Sequence, residues 1–280
     1  MDTLTIRTML PEELNIAVEW ARIEGWNPGI NDAAIFYKAD PTGFFVAELA
    51  GEIVAVGSAV KYDSEFAFCG LYIVAPAHRG KGYGLALTKH RLNYCQDANI
   101  GIDGVLENVD IYKRIGYKPY YHNKRFQKRA THSESNLDQV KTITQEHLAA
   151  IASYDRQCFP AERDVFLTAW LTQAHGKAVC IIENGQICGY ALRRKCVEGY
   201  KVGPLFADSK AKAQSLFTAL QQDIIGETII LDVPENNPHA IELAHEENME
   251  VVFETMRMYQ KGLPEIASNK IFGITTFELG

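Results

Sequence analysis

Apolar and polar positions along the chain switch between a two-residue period and a helical period, so strands and helices can be set out in order. Thr3 to Met9 alternates apolar and polar and predicts a strand. Pro11-Glu12-Glu13 suits the first turn of a helix that runs to about Glu24, with Leu14, Val18 and Ala21 on one face. Glu24-Gly25-Trp26-Asn27-Pro28-Gly29 is a loop by composition. Asp32 to Lys38 predicts a short helix, and Asp40-Pro41-Thr42-Gly43 a turn. Phe44 to Leu49 and Ile53 to Tyr62 read as strands joined at Ala50-Gly51-Glu52. Phe66 to Val74 is a continuous apolar run ended by Pro76, which predicts a buried strand. A glycine-rich turn follows, then a helix of about three turns carrying Leu85, Leu87 and Leu92. Ile100 to Val105 is a strand, Val109 to Ile115 a helix closed by Gly116, and Tyr117 to Gln127 a strand.

Lys128 to Asn136 is polar without an apolar period and reads as a linker, which puts a domain boundary near residue 130. Beyond it the order of elements recurs. Val140–Ile143 is a strand, Thr144 opens a helix to about Arg156, and Ala161 to Gln173 is another helix. Val179–Glu183 and Ile187–Cys196 form a hairpin, followed by strand Tyr200–Phe206, helix Ser209–Ile225 and strand Thr228–Asp232. Helix Asn237–Glu247 and strand Glu250–Gln260 close the repeat, which lies in the elements and not in residue identity. The tail at Ile271–Phe277 is apolar and rich in β-formers, fit to add a strand or plug a cleft.

The turn after the buried strand carries the chemistry. A strand, glycines and a helix start bring free backbone N–H groups and the positive end of the helix dipole to one point, where an anion can sit. Glycines let the backbone approach a phosphate, and Arg79 and Lys81 add charge. The turn is no P-loop, because no Gly-Lys-Ser/Thr ends it, and it does not fit the dinucleotide fingerprint of a βαβ unit. Val74-x-Pro76-x-x-Arg79-Gly80-x-Gly82-x-Gly84 resembles the acyl-CoA signature of the GNAT N-acetyltransferase family. The element order of residues 1 to about 128 is similar to that fold, and the second half follows the same order.

The resemblance implies an α/β (α+β) protein of tandem GNAT-like domains, at 1–130 and 131–280. Each would have a mixed, mostly antiparallel sheet flanked by helices, with strands 4 and 5 splayed. It implies acetyl-CoA as co-substrate without a metal. Arg79, Gly80, Lys81, Gly82, Tyr83 and Gly84 would hold the diphosphate, with the pantetheine arm along Leu71, Tyr72, Ile73 and Val74. Ile111-Tyr112-Lys113-Arg114-Ile115-Gly116-Tyr117 is similar to the family's Y-x-x-x-G-F element, in which the tyrosine returns a proton to the departing thiolate. Tyr112 is that candidate acid; packing of a helix tyrosine on the sheet is the other reading. The family's frequent mid-strand glutamate is missing, since Phe66, Ala67 and Phe68 stand there. Glu24, Glu65 and Asp103 are candidate bases, unless water relays the proton. Asp63 also precedes the strand. Trp26, Asn27, Tyr62 and Asp103 are candidate acceptor-site residues.

Stretches such as Cys158-Phe159-Pro160-Ala161-Glu162-Arg163, Gly199 to Leu205, Asp232 to Asn237 and Phe272 to Glu278 resemble the C-terminal domain of one GNAT subgroup, as does Trp20 with Glu24–Gly29. In the second half no glycine pair follows strand Tyr200–Phe206, and Ala244 stands four residues before Asn248 where Tyr112 precedes Gly116. That half is expected to be a lid, a substrate wall or an assembly surface. Arg163, Arg193, Arg194 and Lys201 read either as a clamp for an acceptor carboxylate or as ordinary surface charge.

Bulk properties add little. The 280 residues and 47% apolar content suit two cores, and a net charge of −7 disfavours nucleic acid as the main partner. Six scattered cysteines form no C-x-x-C pair, so buried thiols in a reducing compartment are expected. Met1-Asp2-Thr3 starts no signal-peptide pattern, and no apolar run reaches membrane-spanning length. The expectation is a cytoplasmic acetyltransferase, monomer or homodimer, acting on a small-molecule amine without nucleic-acid or membrane partners. A protein amine as acceptor, or a non-catalytic CoA-binding sensor or scaffold, are the alternatives.

Overall fold

The computed structural model describes residues 3–133 and 137–280. The first half runs β1 (Leu4–Thr8), α1 (Leu14–Ile23), α2 (Asp32–Phe36), β2 (Phe44–Leu49), β3 (Glu52–Lys61), β4 (Phe66–Val74), α3 (Tyr83–Cys95), β5 (Asn99–Val105), α4 (Val109–Arg114) and β6 (Lys118–Arg129). The second runs β7 (Val140–Thr142), α5 (Leu148–Cys158), α6 (Asp164–Leu171), β8 (Gly176–Glu183), β9 (Gln186–Lys195), β10 (Tyr200–Ala207), α7 (Lys210–Gln221), β11 (Thr228–Pro234), α8 (Pro238–Glu246), β12 (Glu250–Tyr259) and β13 (Ile271–Gly273). The expected order of elements is present in both halves. The expected linker is in part strand, since Lys128 and Arg129 pair with Ile229 and Thr228. Residues 134–136 of that stretch lie outside the described residues.

The halves share one sheet, with strand order β1-β2-β3-β4-β5-β12-β6-β11-β10-β9-β8-β7 among the described residues. Each half lends its last long strand to the other. β12 enters beside β5, from Thr255↔Val105 to Tyr259↔Gly101. β6 lies against β11, from Thr228↔Arg129 to Pro234↔Asn123. β6 and β12 then pair with each other, so no open edge is left at the centre.

Helices α3 and α4 cover one face of the first half, over Ala67, Cys69, Leu87, Ile100 and Ile102. Helices α7 and α8 cover the matching face of the second half, over Leu205, Leu216, Phe217, Leu231 and Leu243. On the opposite face α1 and α2 meet α5 and α6 in one continuous core, where Leu14, Phe36 and Phe44 join Ile151, Phe166 and Trp170. Phe36 stacks on Trp170 with ring centres 5.9 Å apart.

Strands β4 and β5 run parallel only over Phe66↔Asn99, Ala67↔Ile100 and Phe68↔Gly101. Beyond that they part, as the fourth and fifth strands were expected to. Strands β10 and β11 repeat this, pairing only over Tyr200↔Ile229 to Val202↔Leu231. The second opening is filled by the chain itself, because β13 pairs with β10 at Leu205↔Gly273 and Phe206↔Ile271.

Candidate active site

Where β4 leaves β5 its backbone changes course. Ser58 faces Gly70 and Val56 faces Ile73, so β4 carries one residue more than β3. Leu71 adopts φ 45° at this bulge. Such a conformation costs a non-glycine residue about 1–2 kcal/mol, so the surrounding structure must hold it. The bulge breaks the ladder, and Gly70 N donates to Ser58 Oγ at 3.1 Å while its carbonyl accepts from Arg91 Nη2 at 3.3 Å. Leu71 and Ile73 face the core shared with the second half, whereas Tyr72 and Val74 pack beneath α3.

After Val74 a short turn at Pro76–His78 leads to Arg79, Gly80, Lys81 and Gly82. Gly80 has φ 74° and Gly82 φ 87°, both in the left-handed region. A Cβ on either would meet nothing within 4 Å, so open space borders this backbone. Gly82 caps α3 without a side-chain hydrogen bond, which leaves first-turn N–H groups of α3 without a cap partner. Gly84 serves another purpose. A Cβ there would strike the Tyr72 hydroxyl and come 2.9 Å from Val74 Cγ2, so its absence lets α3 lie close on β4. Arg79 Nε donates to the Val74 carbonyl at 2.9 Å, while its Nη2 pairs with Glu24. Lys81 is exposed and Tyr83 half-buried. The turn thus presents left-handed backbone and uncapped first-turn N–H groups to open space, an arrangement that could hold an anion.

Tyr112 stands on the far side of the opening. Its ring lies on β5, where a Cβ on Gly104 would come 2.6 Å from Cε2. It shares an apolar cluster with Tyr72, Val74 and Tyr83. Burial pushes its hydroxyl above the ordinary tyrosine range, with Asn108 pulling the other way, so the phenol keeps its proton at neutral pH.

Other candidates go elsewhere. Glu24 is spent on Arg79 and therefore faces the glycine turn. Glu65 is exposed and sits at the closed end of the β4–β5 pair, where its carbonyl accepts from Asn99 N at 2.7 Å. Asp103 is buried and gripped by Arg257 of β12 at 2.8 and 2.7 Å, with Asn123 Nδ2 donating at 2.6 Å. Burial raises the Asp103 carboxyl above its ordinary range against the pull of Arg257. Asn27 is a strut between the halves: its Nδ2 donates to Glu198 O at 2.8 Å and its Oδ1 accepts from Glu198 N at 2.9 Å. The Trp26 ring packs against the shared core, and its carbonyl accepts from Arg125 at 3.1 Å and Lys201 at 2.9 Å. Tyr62 donates to the Leu279 carbonyl at 2.8 Å.

The basic group is neither a clamp nor surface charge. Arg163 is held by Asp155 at 2.8 and 2.7 Å, Arg193 by Asp223 at 2.8 and 2.9 Å, and Arg194 by Asp32 at 3.1 and 3.5 Å. All three are buried, as is Lys201, whose ammonium is pushed down in pKa by burial and by Arg125. Sequence reading missed Arg257 as a neighbour of the site, whereas the tail, expected to add a strand or plug a cleft, forms β13 on β10 and brings Glu278 O against Gly70. Nothing in the local pattern around Arg257 signals a partner more than a hundred residues away.

In the second half the corresponding cradle is gone. β10 continues through Pro204 to Ala207, and Asp208 is taken up by Tyr154 at 2.9 Å and Lys270 at 2.8 Å.

Both halves of the chain resemble known proteins. Residues 10–117 match the family model described as acetyltransferase (GNAT) family, and residues 151–273 match that described as acetyltransferase (GNAT) domain. A curated relative, holothin acyltransferase of Pseudoalteromonas sp. (strain SANK 73390), is 31% identical over 280 residues, covering 99% of this chain and 95% of that one. A solved structure from Pyrococcus horikoshii shares the fold with a TM-score of 0.83 at 22% identity, over 99% of this chain and 96% of that one. A tandem GNAT protein from the clavulanic acid biosynthesis pathway aligns with a TM-score of 0.60 at 11% identity, over 92% of this chain and 98% of the other.

Proposed function

The chain belongs to the GNAT acetyltransferase family and is an acyltransferase, and from this we propose that it moves an acetyl group from acetyl-CoA to a primary amine of a small molecule. The observation that carries the reading is the left-handed pair Gly80 and Gly82 at the start of α3, beside the parting of β4 and β5. Amides of this turn and the first turn of α3 would hold the diphosphate, with Lys81 adding charge. The edge of β4 from Leu71 to Val74 would hold the pantetheine arm, as β13 lies along β10 in the second half.

Acetyl-CoA supplies the acyl group already activated as a thioester. Backbone N–H at the Leu71 bulge would polarise the carbonyl, a contribution worth about 10²–10³ in rate for one donor. Tyr112 would hand its proton to sulfur as the thiol leaves. Direct attack by the amine in a ternary complex needs no nucleophilic side chain. Since Glu24, Glu65 and Asp103 are engaged or distant, the amine's proton would leave through water. We assign catalysis to residues 1–130 and a supporting role to residues 131–280. The six buried thiols suit a reducing cytoplasm.

The test is direct. Purified protein is titrated with CoA, then screened with acetyl-CoA against holothin, aryl amines, amino acids, polyamines and amino sugars, following thiol release. Binding of CoA with turnover of a small amine is expected. No affinity for CoA would end the proposal.

A further inference from the structure

We infer that residues 275–280, supplied by the second half, form the acceptor-side wall of the first-half site and set which amines reach the thioester. This rests on the acyl-transfer reading above.

Tyr112, Tyr72 and α3 occupy one face of the β4–β5 opening. The amine must therefore arrive on the other face, where Phe68, Gly70 and Leu71 stand. The tail covers that face. The Glu278 carbonyl oxygen fills the space in which a Cβ on Gly70 would lie, so residue 70 has room for no side chain. Leu279 is fully buried in the core that holds Leu71 and Ile73. A Cβ on Gly280 would come 2.9 Å from Phe68 and 3.3 Å from Phe159. The segment is fixed at its start by Ile274 N to Asp232 O at 2.9 Å and by Arg163 to Thr275 at 3.0 Å. Tyr62, donating to Leu279 O at 2.8 Å, fixes its end from the first half.

A cavity of about 20 Å³ lies among Tyr121, Phe159, Arg257, Tyr259 and Gly280. That holds one water, not an amine with a ring. Gly280 borders this cavity, while Leu279 beside it fills the core next to Leu71 and Ile73, so an acceptor takes its room from the Leu279 side chain.

The experiment compares methylamine and benzylamine as acceptors with acetyl-CoA in wild type, Leu279→Ala and Tyr62→Phe, alongside CoA affinity by calorimetry. Leu279→Ala should raise the benzylamine-to-methylamine ratio of kcat/KM about tenfold, the scale for side-chain volume in an apolar pocket, with CoA affinity unchanged. Tyr62→Phe removes one hydroxyl and should move the ratio the same way by less, which keeps the test open if Leu279→Ala does not fold. An unchanged ratio in folded variants, or a loss of CoA affinity that accounts for the change, overturns the inference alone. CoA binding with neither amine acylated by any of the three proteins, and no turnover of the wider amine panel by wild type, overturns it together with the amine-transfer reading.

Discussion

Arg257 on β12 grips Asp103 on β5 with two near-parallel hydrogen bonds, Nε to Oδ1 at 2.8 Å and Nη2 to Oδ2 at 2.7 Å. The pair lies where the last long strand of the second half enters the sheet of the first, and the two residues are also Cα partners in the ladder. A one-residue slip of β12 would turn the guanidinium to the other face. The pair therefore fixes register as well as charge, on the strand that borders the opening.

Removing one member should be costly. Arg257→Met leaves a buried carboxylate unpaired, and about 3–5 kcal/mol of stability should go. The double variant Arg257→Met/Asp103→Asn should recover part of it. Without the guanidinium, burial pushes the Asp103 carboxyl higher still, so its folded pKa stands above the unfolded value. Such a group favours the folded state at low pH and penalises it as pH rises through the folded pKa. The single variant should thus lose less stability at pH 5 than at pH 8, measured by urea unfolding.

The exchange of β6 and β12 predicts that neither half folds alone. Residues 1–133 would keep a β5 without its neighbour and an unpaired β6. Residues 137–280 would lack the strand that closes β11. Circular dichroism and gel filtration of the fragments should show unfolded or aggregated chains apart and a defined complex when co-expressed. A monomeric, cooperatively melting 1–133 fragment would contradict this.

Calorimetric titration should find one CoA per chain. The second opening already holds β13, and its turn lacks the left-handed glycines of the first. Gly82→Val should abolish that single event, because a β-branched residue resists φ 87° and its side chain enters the space left for the ligand.

Tyr112→Phe should lower kcat by about 10²–10⁴, the usual contribution of a proton donor, while CoA affinity stays. Because burial raises the hydroxyl pKa, the wild-type alkaline limb should lie above about pH 10, the ordinary tyrosine value, and be absent in the variant. Equal kcat in both proteins would reduce Tyr112 to packing against Gly104.

The glycine turn, the buried strand ahead of it and the order of elements are legible in the amino-acid sequence, because they are local patterns set by period and by backbone needs. The partners of β6 and β12 are not. Both strands read as the final strand of their own half, and which neighbour each takes is decided by contacts far along the chain. The basic residues mislead for the same reason. Arg194 meets Asp32 and Arg125 meets Asp232, at separations of 162 and 107 residues, where no spacing rule applies.

Glu24 gives the sharpest test of what sequence could not decide. As a general base it would be indispensable, and Glu24→Gln would cost about 10²–10⁴ in kcat. The structure instead pairs it with Arg79, beside the turn assigned to the diphosphate. Their side chains are 34% and 51% exposed, so the pair is worth at most about 1 kcal/mol. A bound diphosphate would compete with Glu24 for the same guanidinium, and its loss would free Arg79. Glu24→Gln should therefore tighten CoA binding, by at most about fivefold on that energy scale, and leave kcat near wild type. Calorimetry and steady-state rates together decide: weaker CoA binding would mean that Glu24 orients Arg79 toward the ligand, and a collapsed kcat would return it to the role of base.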